Sequence, residues 1–305
     1  MSVLKKLRES RNLSYSGLAD QIGVSSEEVK RWEEDASSIS KDSLSSLAYY
    51  LGSSSEELQD MIEGNEPYLT THPYYILGKG EADGWWGHFG LCLNGKKDSK
   101  WFPITLGQAN KISNVLDNIS SRDEWLIVET LNNRILVFRP TRVSRMWVLD
   151  DYADPPEEDW SPPWDGYSGN PSEFYKGLEE YCWLEGDWED GGEGERSVSN
   201  TVIKAVETFT DVHDLDFEKI AELVLETQIY NVEGRTFSHI VEGSRLSELM
   251  FSADIGESVM MLNLSNEKFD FYIPSDNVAL IDMPKRCVDK YIREERYFEE
   301  DENAN

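Results

Sequence analysis

With 305 residues and a formal net charge of −30, the chain is long enough for two or three domains and too acidic to hold nucleic acid non-specifically. A hydrophobic content of 39% with 11% aromatics excludes a chain that is disordered throughout, and three dispersed cysteines without a CxxC pair exclude a disulfide framework and a zinc knuckle. The opening MSVLKKLRES is no signal peptide and no apolar run approaches a membrane span, so a cytoplasmic protein is expected, with Cys92, Cys182 and Cys287 as small buried hydrophobes.

In the first sixty residues, apolar positions recur at helical spacing: Leu4 and Leu7, then Leu18, Ala19 and Ile22, then Val29 and Trp32, then Leu44, Leu47 and Leu51. Ser14, Ser16, Ser25 and Ser26 offer helix starts, and Gly23 and Gly52 offer breaks. A helix ending at Gly23, a single turn residue Val24 and a new helix capped by Ser25 read as a helix-turn-helix.

LADQIGVSSEEVKRWE resembles the Cro/repressor-type (XRE) helix-turn-helix family, over about 60 of the 305 residues. The resemblance implies a five-helix domain with Ser25 to Trp32 as recognition helix in the major groove of double-stranded DNA, in a homodimer or higher homo-oligomer. It places Leu18, Ala19, Ile22, Val29 and Trp32 in the core, Ser26, Glu27 and Lys30 towards base edges, and Arg31 near phosphate or packed inward. Ser25 and Tyr15 complete the candidate DNA-binding set, although Tyr15 stands where the family often carries Gln. Glu27, Glu28 and the run Glu33-Glu34-Asp35 also depart from the pattern. Residues 1–66 hold seven Lys/Arg against thirteen Asp/Glu, which leaves little charge for phosphate neutralisation. The competing reading is a helix-turn-helix reused for protein contact, in an acidic interaction module that binds a basic protein, as an antitoxin or a DNA mimic would.

Residues 64–73, GNEPYLTTHP, read as a linker. Strands follow at Gly87–Asn94 and Ser99–Thr105 around the Asn94-Gly95 turn, a helix at Leu106–Ile119, then strands at Trp125–Leu131, Arg134–Phe138 and Val143–Leu149. The segment GLCLNGKK matches GxxxxGK only superficially and is read as a turn, since Lys97 stands where the phosphate loop needs Ser or Thr. The order then repeats. LIVETLNNRILVFRP, ending at Pro140, aligns without a gap on MMLNLSNEKFDFYIP, ending at Pro274, which sets Asn132 on Asn266, Arg134 on Lys268 and Phe138 on Tyr272. Ile229–Ile240 stands for the earlier hairpin and Arg245–Phe251 for the helix.

The expected fold class is therefore α+β and multidomain: an all-α helix-turn-helix domain (1–63), a linker (64–73), a β-rich module (74–152), an acidic Pro/Trp-rich insertion (153–196), a second module repeating the first (197–284) and a charged helix and tail (285–305). Short strands and tight turns suit SH3- or Sm-like barrels. Residues 151–196 hold fifteen acidic residues and four tryptophans, Trp160, Trp164, Trp183 and Trp188, which either anchor a partner or pack on the protein itself. Arg134, Arg139, Arg142 and Arg145, with Trp147, form either a basic and aromatic surface or a clamp on the acidic insertion. His72, His88, His213 and His239 lack metal spacing, and no nucleophile sits beside a base, so neither metal, cofactor nor enzymatic activity is expected.

Overall fold

The computed structural model describes residues 2–64, 75–77, 81–119, 124–163, 168–185, 196–256 and 260–303. The chain opens with five helices: α1 (Val3–Ser10), α2 (Tyr15–Ile22), α3 (Ser26–Glu34), α4 (Lys41–Leu51) and α5 (Ser55–Glu63). A small antiparallel hairpin joins β1 (Tyr75–Leu77) to β2 (Glu81–Asp83). Then come β3 (Trp85–Leu93), β4 (Lys100–Thr105), α6 (Leu106–Asn118), β5 (Leu126–Glu129), β6 (Arg134–Phe138) and, after a short 3-10 turn, β7 (Val143–Asp150). Three helices follow, α7 (Ser172–Glu185), α8 (Asn200–His213) and α9 (Phe217–Val224). The chain ends with β8 (Glu226–Asn231), β9 (Thr236–Ile240), α10 (Gly243–Asp254), β10 (Met261–Asn263), β11 (Tyr272–Pro274), another short 3-10 turn, β12 (Val278–Pro284) and α11 (Lys285–Asn303).

These elements form two compact units, Met1–Gly84 with Asn170–Ile220, and Trp85–Gly169 with Ala221–Asn305. The division differs from the one expected: the insertion is split between the units, and α8 joins the first unit rather than opening the second module. The expected linker lies, beyond Gly64, outside the described residues.

In the first unit each of α1 to α5 starts on a serine, Ser2, Ser14, Ser25, Ser40 and Ser54, whose hydroxyl accepts from a first-turn backbone N–H. That hydroxyl satisfies a donor the helix itself leaves unpaired. Leu4, Leu7, Leu18, Val29, Trp32, Leu47 and Leu58 close one apolar core. Two helices absent from the sequence reading extend it. The Glu173 carboxylate on α7 accepts from the Ser55 N–H at 2.7 Å, and Lys176 donates to Ser55 Oγ at 2.9 Å and pairs with Glu56 at 2.7 Å. The Ser199 N–H before α8 donates to Ser45 Oγ on α4 at 2.8 Å. Gly177 lets α7 and α8 approach closely, since a Cβ there would meet Val202 Cγ1 at 2.7 Å.

The second unit shows several sheets. Both halves run strand, strand, helix, strand, strand, 3-10 turn, strand, and in both the last strand pairs with the first: β4-β3-β7 and β9-β8-β12. The ladders skip the same position, Ser144 in β7 and Ala279 in β12. This equivalence lies one residue further along than the gapless alignment. Phe138 therefore corresponds to buried Ile273 and not to Tyr272, which is 55% exposed. A one-residue shift exchanges the faces of a strand, so the gapless alignment misplaces the faces of this strand.

The expected pair of separate barrels is not what the sheets show. The β5-β6 hairpin of the first half pairs through β6 with β12 of the second, giving one five-stranded sheet, β5-β6-β12-β8-β9. Ile135, Val137, Ile281 and Met283 face one core, with Leu246 and Val288 of α10 and α11; Leu136, Phe138 and Leu280 face the other, with Phe89, Phe102 and Ile112. Strands buried on both faces read as unbroken apolar runs, as RILVF and VALI do.

Asp282 lies inside this sheet, 3% exposed, beside the Arg134 guanidinium at 2.6 Å and the Lys100 ammonium at 3.0 Å. Burial acts to raise its pKa, but the two cations hold the carboxyl below the usual range. A second long-range lock is Asn133, in the left-handed region at φ 62°, whose side-chain oxygen accepts from the Arg286 N–H at the start of α11.

Loss of the Glu173 carboxylate would leave the Ser55 N–H without its acceptor within a buried contact. Glu173→Ala is expected to destabilise the first unit by about 2 kcal/mol, read as a lower denaturation midpoint with an unchanged far-UV spectrum at rest.

Candidate nucleic-acid interface

The turn between α2 and α3 is built by two residues. Gly23 closes α2 at φ 74°, a conformation a side chain rarely tolerates, and Ser25 opens α3 with a capping box in which Ser25 Oγ accepts from the Glu28 N–H and the Glu28 carboxylate accepts from the Ser25 N–H. These bonds hold the Glu28 carboxyl below its ordinary value. Val29 and Trp32 are buried at 2% and 4%, leaving Glu27, Lys30, Arg31 and Glu34 exposed on the outer face.

Beneath that face lies a cluster the sequence reading missed. Arg8 Nε meets Glu33 Oε1 at 2.7 Å, with both side chains 6% exposed. Tyr15 donates its hydroxyl proton to Glu33 Oε2 at 2.9 Å, and the Arg8 guanidinium lies 4.0 Å from the Tyr15 ring centroid. The hydrogen bond to Glu33 raises the pKa of both Arg8 and Tyr15. Glu33 thus belongs to the interior and ties α3 to α1 and α2. The signal was in the spacing: Arg8 stands one turn after Leu4, and Glu33 one turn after Val29, both on inward faces.

The candidate DNA-contacting residues separate accordingly. Ser25 and Glu28 are engaged in capping, Tyr15 is half-buried with its hydroxyl committed to Glu33, and Ser26 is half-buried at the start of α3. Lys30 is exposed, its ammonium 5.5 Å from the Tyr15 ring centroid. Arg31 is not packed inward: its side chain is 58% exposed and lies 3.9 Å from Glu28. Arg8 and Arg11 are used internally, Arg11 on the carbonyls of Tyr50 and Leu51 that end α4.

The arginine group of the second unit is not a continuous basic surface. Arg134 and Arg139 are each 4% exposed. Arg134 donates to Asp282 and to the carbonyls of Glu222 and Glu226, while Arg139 lies over the Trp125 ring at 4.3 Å and bonds the Ser275 carbonyl. Arg142 reaches Asp276 at 3.4 Å. Arg145 and Trp147 do grip the acidic segment: Asp159 Oδ2 accepts from Arg145 Nε at 2.8 Å, Trp147 Nε1 at 2.9 Å and Ser99 Oγ at 2.7 Å, and Oδ1 accepts from the Ser99 N–H at 2.6 Å.

Of the four tryptophans, Trp160 packs edge-on against Trp101 and His88, with centroids 4.8 and 5.1 Å away, and Trp183 is 42% exposed on α7. Trp164 and Trp188 lie outside the described residues. Among the described residues, no cluster of three His, Cys, Asp or Glu side chains could hold a metal ion, and no helix is long and apolar enough to cross a membrane.

The five helices and the capped turn define the first part of the chain as a helix-turn-helix domain. Residues 4–58 match the helix-turn-helix family. Neither the curated proteins nor the solved structures provide a match. The family match supports, in general terms, a DNA-binding regulator.

Two outcomes follow from these contacts. Breaking a buried ion pair by removing one partner leaves the other charge uncompensated, so Glu33→Gln is expected to cost the first unit roughly 2–3 kcal/mol, measured by denaturant titration. At Asp159 burial opposes the charge, but the bonds from Ser99, Arg145 and Trp147 lower the carboxyl from 3.8 to about 2. A depressed carboxyl stabilises the fold above its unfolded pKa and ceases to as pH falls through the folded one. Asp159→Asn should therefore melt below wild type at pH 7, with the gap closing as pH falls from about 4 towards about 2.

Proposed function

We propose that this protein is a DNA-binding transcriptional regulator of the XRE type, with α3 entering the major groove and the second unit serving oligomerisation or partner sensing. The observation that supports this reading is the rigid presentation of α3: its inner face is locked by Val29, Trp32 and the Arg8–Glu33 pair, while Lys30 and Arg31 project outward. Ser26 and Glu27, on the first turn of α3, are the candidates for base edges. The reading assigns no catalytic step, metal or cofactor to the chain.

The charge of the domain shapes how it would bind. With Arg8 and Arg11 engaged internally, the cations left at the surface are Lys6, Lys30 and Lys41, with Lys5 and Arg31 each 3.9 Å from a glutamate, Glu9 and Glu28. Few phosphates can be neutralised, so affinity must come largely from base contacts and from the joining of half-sites. The same acidity favours a second reading, an interaction module for a basic protein, because the exposed Glu27 and Glu34 bracket the two cations of α3.

Selection of bound fragments from the source genome at about 50 and 150 mM salt separates the two. Enrichment of a palindromic site that is lost in Lys30→Glu/Arg31→Glu is the expected result, and no enrichment at either salt gives preference to the basic partner. Affinity for the selected site should fall with salt on a logarithmic slope of only about −2 to −4, as few phosphate contacts require.

A further inference from the structure

Within the second unit, β6 of the first half lies antiparallel to β12 of the second, in register from Phe138 opposite Leu280 to Arg134 opposite Pro284. Since the halves repeat one another, the converse joint would set β11 against β7. Among the described residues the chain does not make it: β7 pairs with β3 alone, and β11 with β10 alone.

Exposure follows this difference. Every residue of β6 and of β12 is buried, whereas no residue of β7 is. On the side of β11, Phe269 and Tyr272 are 46% and 55% exposed. Apolar side chains so placed along an unpaired strand edge mark an interaction surface. Their counterparts in the first half, on the β5-β6 hairpin, are covered by the joint with β12 or by the cores on either side.

We propose that β11 of one copy of this chain pairs antiparallel with β7 of a second copy, repeating between chains the β6–β12 joint made within each. The occupant is identified by continuity with that internal interface: the two open edges belong to the same two elements of the repeat, so the surface that fits each is already present on the same chain. Transferring the internal register, with the skipped Ser144 and Ala279 as anchor, sets Phe269 opposite Leu149, Phe271 opposite Trp147 and Tyr272 opposite Met146. Each aromatic then meets an apolar or aromatic partner across the strands, the kind of pair that stabilises a sheet. Such a contact is heterologous: each copy offers β11 to one neighbour and β7 to another, so copies add head to tail until a ring closes. The joint involves neither α3 nor DNA and stands independently of the regulator reading.

The test uses the full chain without DNA. Light scattering at micromolar concentration should show an oligomer, and Phe269→Lys/Tyr272→Lys, at two exposed positions, should reduce it to a monomer with an unchanged circular dichroism spectrum. Two chains tagged to differ in mass, one with Leu149→Cys and the other with Phe269→Cys, should form a mixed disulfide on oxidation, which neither forms alone. A monomeric wild type, as when another segment of the chain covers β7, overturns the proposal; so does an oligomer that yields no mixed disulfide.

Discussion

The antiparallel pairing of β6 with β12 is the contact on which the second unit depends. It joins the β5-β6 hairpin of the first half to three strands of the second in one five-stranded sheet with a core on either face, and it places Arg134 beside Asp282 in the interior. A carboxylate that is 3% exposed is costly without a partner, by several kcal/mol. Its partner comes from a strand 148 residues away, diagonally placed on the same face of the ladder. A slip of one residue would turn Asp282 into the apolar core of Ile229, Ile281 and Met283. The ion pair thus favours one register among those that the apolar residues alone would allow.

The first unit relies on the same device at smaller scale. Arg8, Tyr15 and Glu33 join α1, α2 and α3 through one buried carboxylate, so the orientation of α3 is fixed from beneath. Two further helices, α7 and α8, contribute polar side chains and backbone donors to the starts and faces of α4 and α5, where Glu173 and Ser199 bond Ser55 and Ser45. The outer face of α3 keeps Lys30 and Arg31 available, yet Glu27 and Glu34 stand beside them.

Acidity is distributed by role. Buried carboxylates, Glu33, Asp159 and Asp282, each carry a basic or hydrogen-bonding partner and organise the fold. The exposed ones keep the protein strongly anionic and weaken non-specific contact with nucleic acid. Of the four arginines clustered in the sequence between Arg134 and Arg145, the two most buried serve the sheet, and Arg145 serves Asp159.

Local chemistry made much of this legible in the sequence. Serine caps, Gly23 and the 3.6-residue spacing placed the helix-turn-helix, because each signal acts within one turn. The Asn94-Gly95 turn, the helix from Leu106 and the strands of the first half were likewise readable, since hairpins and periodicity are short-range. Tertiary structure alone decided which strand pairs with which, that α7 and α8 join the first unit, and where each charged side chain ends. An apolar run such as RILVF states that a strand is buried on both faces but not against what. A gapless repeat leaves the period-two face undetermined until a skipped residue, here Ser144 and Ala279, fixes it. Arginines and carboxylates carry no mark of their partners in sequence, because partners 25 and 148 residues apart meet only when the chain has folded.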